Sequence, residues 1–227
     1  MTTKLISRTL FSVLFLLFFA LPASAAIVQV ETADLIYEYD NSTLFGDLYI
    51  TNYDENTVAF KPTEFDVQSN NLDGSVSLID KIVVDIWVKD EANFNITKLR
   101  VVEKGDYNVG VPNGDDGVNS VRANLYTDIN GVENNVFFET NVSDPNAPNP
   151  EYKIVNTHHL DGSDNHLLLY IENQLQAVNL QNGTLSFIDK KLVRIASTVV
   201  PVPAAVWLFG SVLATLGLFR KRAEATV

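Results

Sequence analysis

In residues 79–90, "IDKIVVDIWVKD", the apolar character repeats every second residue, and a pattern of that period leaves a chain few choices. Ile82, Val84, Ile86 and Val88 point one way, and Val83, Asp85, Trp87 and Lys89 the other, as on a strand with one face buried. The same period returns in "IVQVETADLIYEYD", "LFGDLYIT", "TVAFKPTEFDV", "FNITKLRVVEK", "SVRANLYTDI", "NNVFFETNV", "HLLLYIE", "LQAVNL" and "TLSFIDKKLVRI". Polar turn clusters separate these runs, among them residues 52–56, 70–74, 113–117, 130–131, 144–150 and 161–165. No stretch of the body sustains a period of 3.6. Strands spaced by roughly 8–15 residues, with Asn-, Asp- and Gly-rich turns, predict an all-β fold: an antiparallel sandwich or jelly-roll-like body. "SDPNAPNP" (143–150) reads as a long loop within one sandwich rather than as a linker, because the residues after it hold too few strands for a domain of their own.

The two ends differ from this body. Lys4 and Arg8 precede the apolar run "LFSVLFLLFFAL", and Pro22 then leads to Ala23-Ser24-Ala25. A positive start, a short apolar core and small residues at the exit form an export signal, cut by signal peptidase after Ala25. Near the other end, residues 204–219 carry no charge, and Arg220-Lys221-Arg222 follow at once. As a helix this segment is a short membrane span whose basic edge stays on the cytoplasmic side. The expected organisation is a signal helix over 1–25, an exported β domain over 26–197, and a tail with a transmembrane helix over 198–227.

Charge and cysteine content exclude several functions. Of the 28 acidic residues only Glu224 lies outside the body, whereas five of the 16 basic ones do, so the body carries a formal charge of −16. Such a balance argues against nucleic acid as a partner. The chain has no cysteine, hence no disulfide, thiol nucleophile or lipid-modified N-terminal cysteine.

Side chains with catalytic or ligating chemistry are present but form no recognisable motif. Asn113, Asp115 and Asp116 in "NGDDG", and Asp161, Asp164 and Asn165 in "DGSDN", could supply oxygens to calcium. Neither loop has the spacing of an EF-hand, and the same residues are ordinary turn formers. His158, His159 and His166 are close in sequence; a hairpin turning at "LDGSDN" would bring two imidazoles together, still short of a full ligand set. There is no nucleophile elbow, phosphate loop or His-Glu-x-x-His, so neither an enzyme nor a cofactor is expected. Trp87, on the more polar face of its strand, and the cluster Tyr37, Tyr39, Tyr49 and Tyr53 could stack on sugar rings, but such residues more often pack beneath a loop or against the opposite sheet.

The tail "VPVPAAVWLFGSVLATLGLFRKR" resembles the sorting tail of PEP-CTERM proteins of Gram-negative bacteria: a proline motif, a short apolar helix and a terminal basic cluster. The resemblance covers roughly one tenth of the chain. In that family a glutamate stands between the prolines; here Val202 lies between Pro201 and Pro203, a valine-proline variant. The resemblance implies recognition of Pro201, Val202 and Pro203 by an exosortase-type transpeptidase. Arg220, Lys221 and Arg222 would hold the chain in the inner membrane until cleavage passes the body to the cell surface or to an exopolysaccharide-rich matrix. The body's expected role is structural or interactive, the alternative being a calcium- or carbohydrate-binding surface module.

Overall fold

The computed structural model describes residues 26–51, 55–91, 93–110, 119–141, 150–201 and 212. The signal segment with Ala23 and Ala25, the loop with Asn113, Asp115 and Asp116, and the tail from Val202 through Arg220, Lys221 and Arg222 lie outside them, apart from Val212. Among the described residues no helix is long and apolar enough to cross a membrane.

These residues form two antiparallel sheets. The first holds β1 (Ile27–Glu31), β2 (Leu35–Asp40), β6 (Gly74–Val88), β11 (His166–Asn179), β8 (Ser120–Ile129) and β9 (Val132–Thr140), in that order across the sheet. The second runs β10 (Glu151–Asp164), β7 (Phe94–Asn108), β12 (Leu185–Pro201), β4 (Thr57–Phe60) and β3 (Leu48–Ile50), with β5 (Asp66–Asn70) also paired to β12. Every pairing is antiparallel. The strands after residue 150 alternate in space with earlier ones in both sheets, so residues 151–201 belong to the same sandwich as the first half.

The alternation read from the sequence places the core. Ile82, Val84, Ile86 and Val88 are buried together with Leu35, Tyr37 and Tyr39 from the first sheet and Val58, Phe60, Leu99, Val101, Ile154, Val193 and Ile195 from the second. Burying one face of each sheet against the other is what an all-antiparallel pattern of this period requires. Tyr39 and Phe45 both meet the Phe60 ring edge-on, with centroids 5.2 and 5.8 Å apart.

Polar groups also bridge the sheets. The Tyr37 hydroxyl donates to the Asn56 carbonyl at 3.0 Å and lies 3.1 Å from Ser197 Oγ on β12. The Asn56 side chain ties Thr32 and Asp34 to the same corner, at 3.0 and 2.7 Å. Farther along, Thr127 Oγ1 lies 2.7 Å from His158 Nε2 and accepts from Asn156 at 2.8 Å, which joins β8 to β10. The turn Asn130-Gly131 closes the β8–β9 hairpin with φ of +50° and +88°, a pair of left-handed residues that suits the twist of its strands.

One expectation needs correction. "LDGSDN" is not a hairpin turn: β10 pairs with β7 and β11 with β6 and β8, so the segment crosses from one sheet to the other. Tyr37 and Tyr39 pack in the core against the opposite sheet, the second of the two readings open to them, because the inward phase of β2 falls on them. β12 itself runs on to Pro201, which is exposed at its end.

Candidate functional site

The outer face of the first sheet collects side chains that the buried alternation leaves over. On β6 these are Lys81, Val83, Asp85 and Trp87; on β11, His166, Leu168, Tyr170 and Glu172; on β8, Tyr126 and Asp128. Register lines them up in rows. Trp87 is opposite His166, Asp85 opposite Leu168, Val83 opposite Tyr170, and Lys81 opposite Glu172. Across the next pairing Tyr170 faces Asp128 and Glu172 faces Tyr126. Side chains on one strand face repeat every second residue, so these four rows extend about 20 Å along the strands.

At one end the rings of Trp87 and His166 are parallel within 5°, with centroids 5.1 Å apart. His166 Nε2 also lies 3.1 Å from Asp85 Oδ1, which fixes the imidazole on the indole. At the other end Tyr126 and Tyr170 meet edge to face at 5.9 Å. The Tyr170 hydroxyl donates to Glu172 Oε2 at 2.8 Å. Desolvation, and then that carboxylate, push the Tyr170 phenol up to about 12, so it stays a proton donor at neutral pH. Burial and Glu133 raise the Tyr126 phenol in the same direction. Between the ends a depression of about 540 Å³ is lined by Val83, Leu168, Tyr126, Tyr170, Asp128 and Glu172. Val83 and Leu168, 44% and 46% exposed, supply its apolar floor. The face therefore offers flat apolar surface edged by carboxylate acceptors.

Charge is unevenly shared between the two outer faces. Asp40, Asp85, Asp128, Glu133 and Glu172 lie on or beside the rows just described with Lys81 among them, whereas the other sheet mixes Lys98, Arg100, Lys104, Lys153 and Arg194 with Asp66, Asp106, Glu151 and Asp189. The net charge of the body conceals this division.

The histidines do not converge. His158 is buried at Thr127, His159 is exposed on β10, and His166 stacks on Trp87 on the opposite sheet. Burial holds the His158 imidazole below its ordinary value. Asp161 accepts from Ser163 N at 2.9 Å and Ser163 Oγ at 2.6 Å, bonds that draw its carboxyl below the usual range. Asp164 ends β10 as the register partner of Ile96. Among the described residues no three His, Asp or Glu side chains gather as a metal site. Trp87 was visible in the sequence as an aromatic residue on a polar face. His166 stands out there only as one of three neighbouring histidines, and Tyr126, Leu168 and Tyr170 do not stand out, because β6, β11 and β8 are neighbours in space but not in the chain.

No family model and no curated protein matches the chain. Among solved structures it is similar to the carbohydrate-binding module TmCBM61, determined with β-1,4-galactotriose: 14% identity over 76% of this chain and 88% of that one, TM-score 0.29. It is also similar to a structure from a study of carbohydrate-binding modules of the β-sandwich superfamily: 8% identity, 74% and 96% coverage, TM-score 0.22. Both TM-scores are too low to carry an argument about what this chain binds.

Proposed function

We propose that this chain is an exported, non-catalytic surface protein whose first sheet binds a neutral polysaccharide on the outer face of β6, β11 and β8. The observation that supports this most is the strip from Trp87 through Leu168 to Tyr170 and Tyr126, apolar in its middle and lined by Asp85, Asp128 and Glu172. Sugar rings present an apolar face to aromatic groups and hydroxyls to acceptors, and a flat amphipathic strip serves both. The carboxylates accept from hydroxyls and repel uronate-rich polymers, which favours a neutral chain. The export signal and the sorting-like tail, both read from the sequence, fit a protein that an exosortase-type enzyme hands to an exopolysaccharide-rich surface.

Native affinity electrophoresis of the full chain in gels cast with neutral or uronic-acid polysaccharides tests the binding. Retardation by a neutral polymer, lost in Trp87→Ala and Tyr170→Ala, is expected. Migration unchanged in every gel, or equal retardation of both variants, overturns the assignment. For the tail, the expected outcome is a surface-fraction protein whose intact mass lacks Arg222; retention of Arg222 there argues for a permanent anchor.

A further inference from the structure

The core contains a second cluster, unrelated to the outer face. Lys190 on β12, Glu103 on β7 and Asn173 on β11 are each 0% exposed. Lys190 Nζ lies 3.4 Å from Glu103 Oε2, and Asn173 Nδ2 donates to that same oxygen. The other carboxylate oxygen accepts from the Tyr152 hydroxyl at 2.9 Å. Nζ has no well-formed hydrogen bond and packs 3.9 and 5.3 Å from the ring centroids of Phe65 and Phe45; Asn173 Oδ1 also has no partner.

As a salt bridge this arrangement is poor. A buried ion pair repays its desolvation only when the remaining donors and acceptors are satisfied, and an ammonium has three donors. Here one acceptor stands at the edge of reach, and a buried amide oxygen is left empty. The strands are nevertheless shaped to bring these groups together. A bulge between Lys190 and Leu192 shifts the phase of β12, so that Lys190 and Val193 both point inward. Opposite the bulge is Gly105, where a Cβ would meet the Asp189 carbonyl oxygen at 1.9 Å and the Tyr152 ring at 2.6 Å. Only a glycine there lets the bulge and the tyrosine close over Glu103.

We propose that Lys190 and Asn173 condense into an intramolecular amide, with Glu103 as the catalytic proton carrier. Lys190 gives its proton to Glu103, leaving a neutral amine and a carboxylic acid, both better suited to a dry core than the ions. Burial lowers the Lys190 ammonium to about 7, so the free amine is accessible at neutral pH. A half-turn of the Asn173 amide puts Oδ1 on the Glu103 acid proton, which polarises Cγ. Nζ then attacks Cγ; the new C–N bond forms, the Cγ–Nδ2 bond breaks, and Glu103 relays the amine's proton to the leaving nitrogen. The products are one secondary amide and ammonia, with no change of oxidation state. One amide replaces another, so the bond energies nearly cancel, and escape of ammonia to solvent drives the exchange forward. Holding amine and amide on one carboxylate supplies the proximity that the reaction lacks in water. The bond would join β11 of one sheet to β12 of the other.

Peptide mapping of the purified full chain decides this without depending on any variant. No Lys or Arg lies between Lys153 and Lys190, so trypsin releases residues 154–190 as one peptide when Lys190 is free. The amide blocks cleavage after Lys190; the product then runs to Lys191 and is lighter by one ammonia, about 17 Da, with fragmentation joining Asn173 to Lys190. Glu103→Gln, which keeps the side-chain size, is expected to return the ordinary 154–190 peptide. An unmodified 154–190 peptide from folded wild-type protein overturns the proposal. So does a loss of ammonia that maps to Asn182-Gly183 with cleavage at Lys190 intact, since that is a succinimide in a turn. An amide that persists in Glu103→Gln removes Glu103 from its role.

Discussion

Trp87 and His166 face each other across the β6–β11 pairing with their rings parallel within 5°, and Asp85, two residues before the tryptophan, holds the imidazole in place at 3.1 Å. The histidine thus covers part of an indole that β6 alone would present bare. A stacked aromatic pair at a half-exposed position contributes about 0.5–1.5 kcal/mol. In a Trp207→Phe background, where Trp87 is the remaining tryptophan, His166→Ala is expected to increase acrylamide quenching of its fluorescence and to lower stability by less than about 1 kcal/mol. Unchanged quenching would mean that the stack does not shield the ring in solution.

Tyr37 belongs to β2 of one sheet, yet its hydroxyl bonds Asn56 and reaches Ser197 of the other. Burial pushes its phenol far above the ordinary value, so it is a permanent donor. Tyr37→Phe keeps the ring and leaves the Asn56 carbonyl without that donor. The Asn56 carbonyl keeps the Ser197 N–H at 3.3 Å, so the loss is that of one hydrogen bond, about 0.5–1.5 kcal/mol. For a body of this size each kcal/mol corresponds to roughly 2–4 °C in melting temperature. Calorimetry showing no change would place the Tyr37 hydroxyl outside the energetics of the sheet contact.

Two glycines separate steric from conformational need. Gly131 has φ of +88° and nothing within 4 Å of a built Cβ, so Gly131→Ala meets only the left-handed backbone penalty of about 1 kcal/mol. Gly105 has no such φ, but its Cβ would sit 1.9 Å from the Asp189 carbonyl oxygen. Gly105→Ala must therefore separate β7 from β12, and is expected to yield little soluble protein. Comparable melting curves for the two variants would contradict this.

His158 makes the sandwich sensitive to mild acid. Its imidazole is buried against Thr127, and desolvation lowers its folded value below that of the unfolded chain, about 6.5. Between those two values the unfolded chain holds more protons than the folded one, so stability rises with pH there and is lost as pH falls below about 6.5. Melting temperature is expected to drop from about pH 7.5 to about pH 5.5, and to drop less in His158→Gln. An identical drop in the variant would assign the effect to other groups.

Local chemistry made some of this legible and long-range pairing hid the rest. The alternation in 82–88 gives both the strand and its buried face, because inside and outside differ at each step. The turn at Asn130-Gly131 was readable because those residues tolerate the two positive φ values a tight hairpin needs. The crossing at residues 161–165 was not, since a polar connection reads the same whether the chain returns within a sheet or moves to the other. Lys190 was hidden for a different reason. Lys190 is in phase with buried Ile188 but out of phase with Val193 and Ile195, and the bulge that lets both sets face inward depends on Gly105, far away in the sequence.

The titration of Lys190 separates an amide from an ion pair by a route independent of mass. A free Lys190 has its folded value lowered from 10.5 to about 7 by burial, against which Glu103 acts only in part. Between those values the unfolded chain binds a proton that the folded chain does not, so a free Lys190 makes stability rise with pH above about 7. An amide nitrogen takes up no proton in either state and contributes no slope. Buried Tyr37 and Tyr152, both raised, work in the opposite sense only once unfolded tyrosines ionise, near pH 10. The useful window is therefore about pH 7.5 to 9.5. Asn173→Leu has similar volume but no amide carbon for the amine to attack. Denaturant unfolding is expected to show stability rising with pH in that variant and nearly flat in the wild type. Equal slopes in the two proteins would mean that Lys190 remains a free amine.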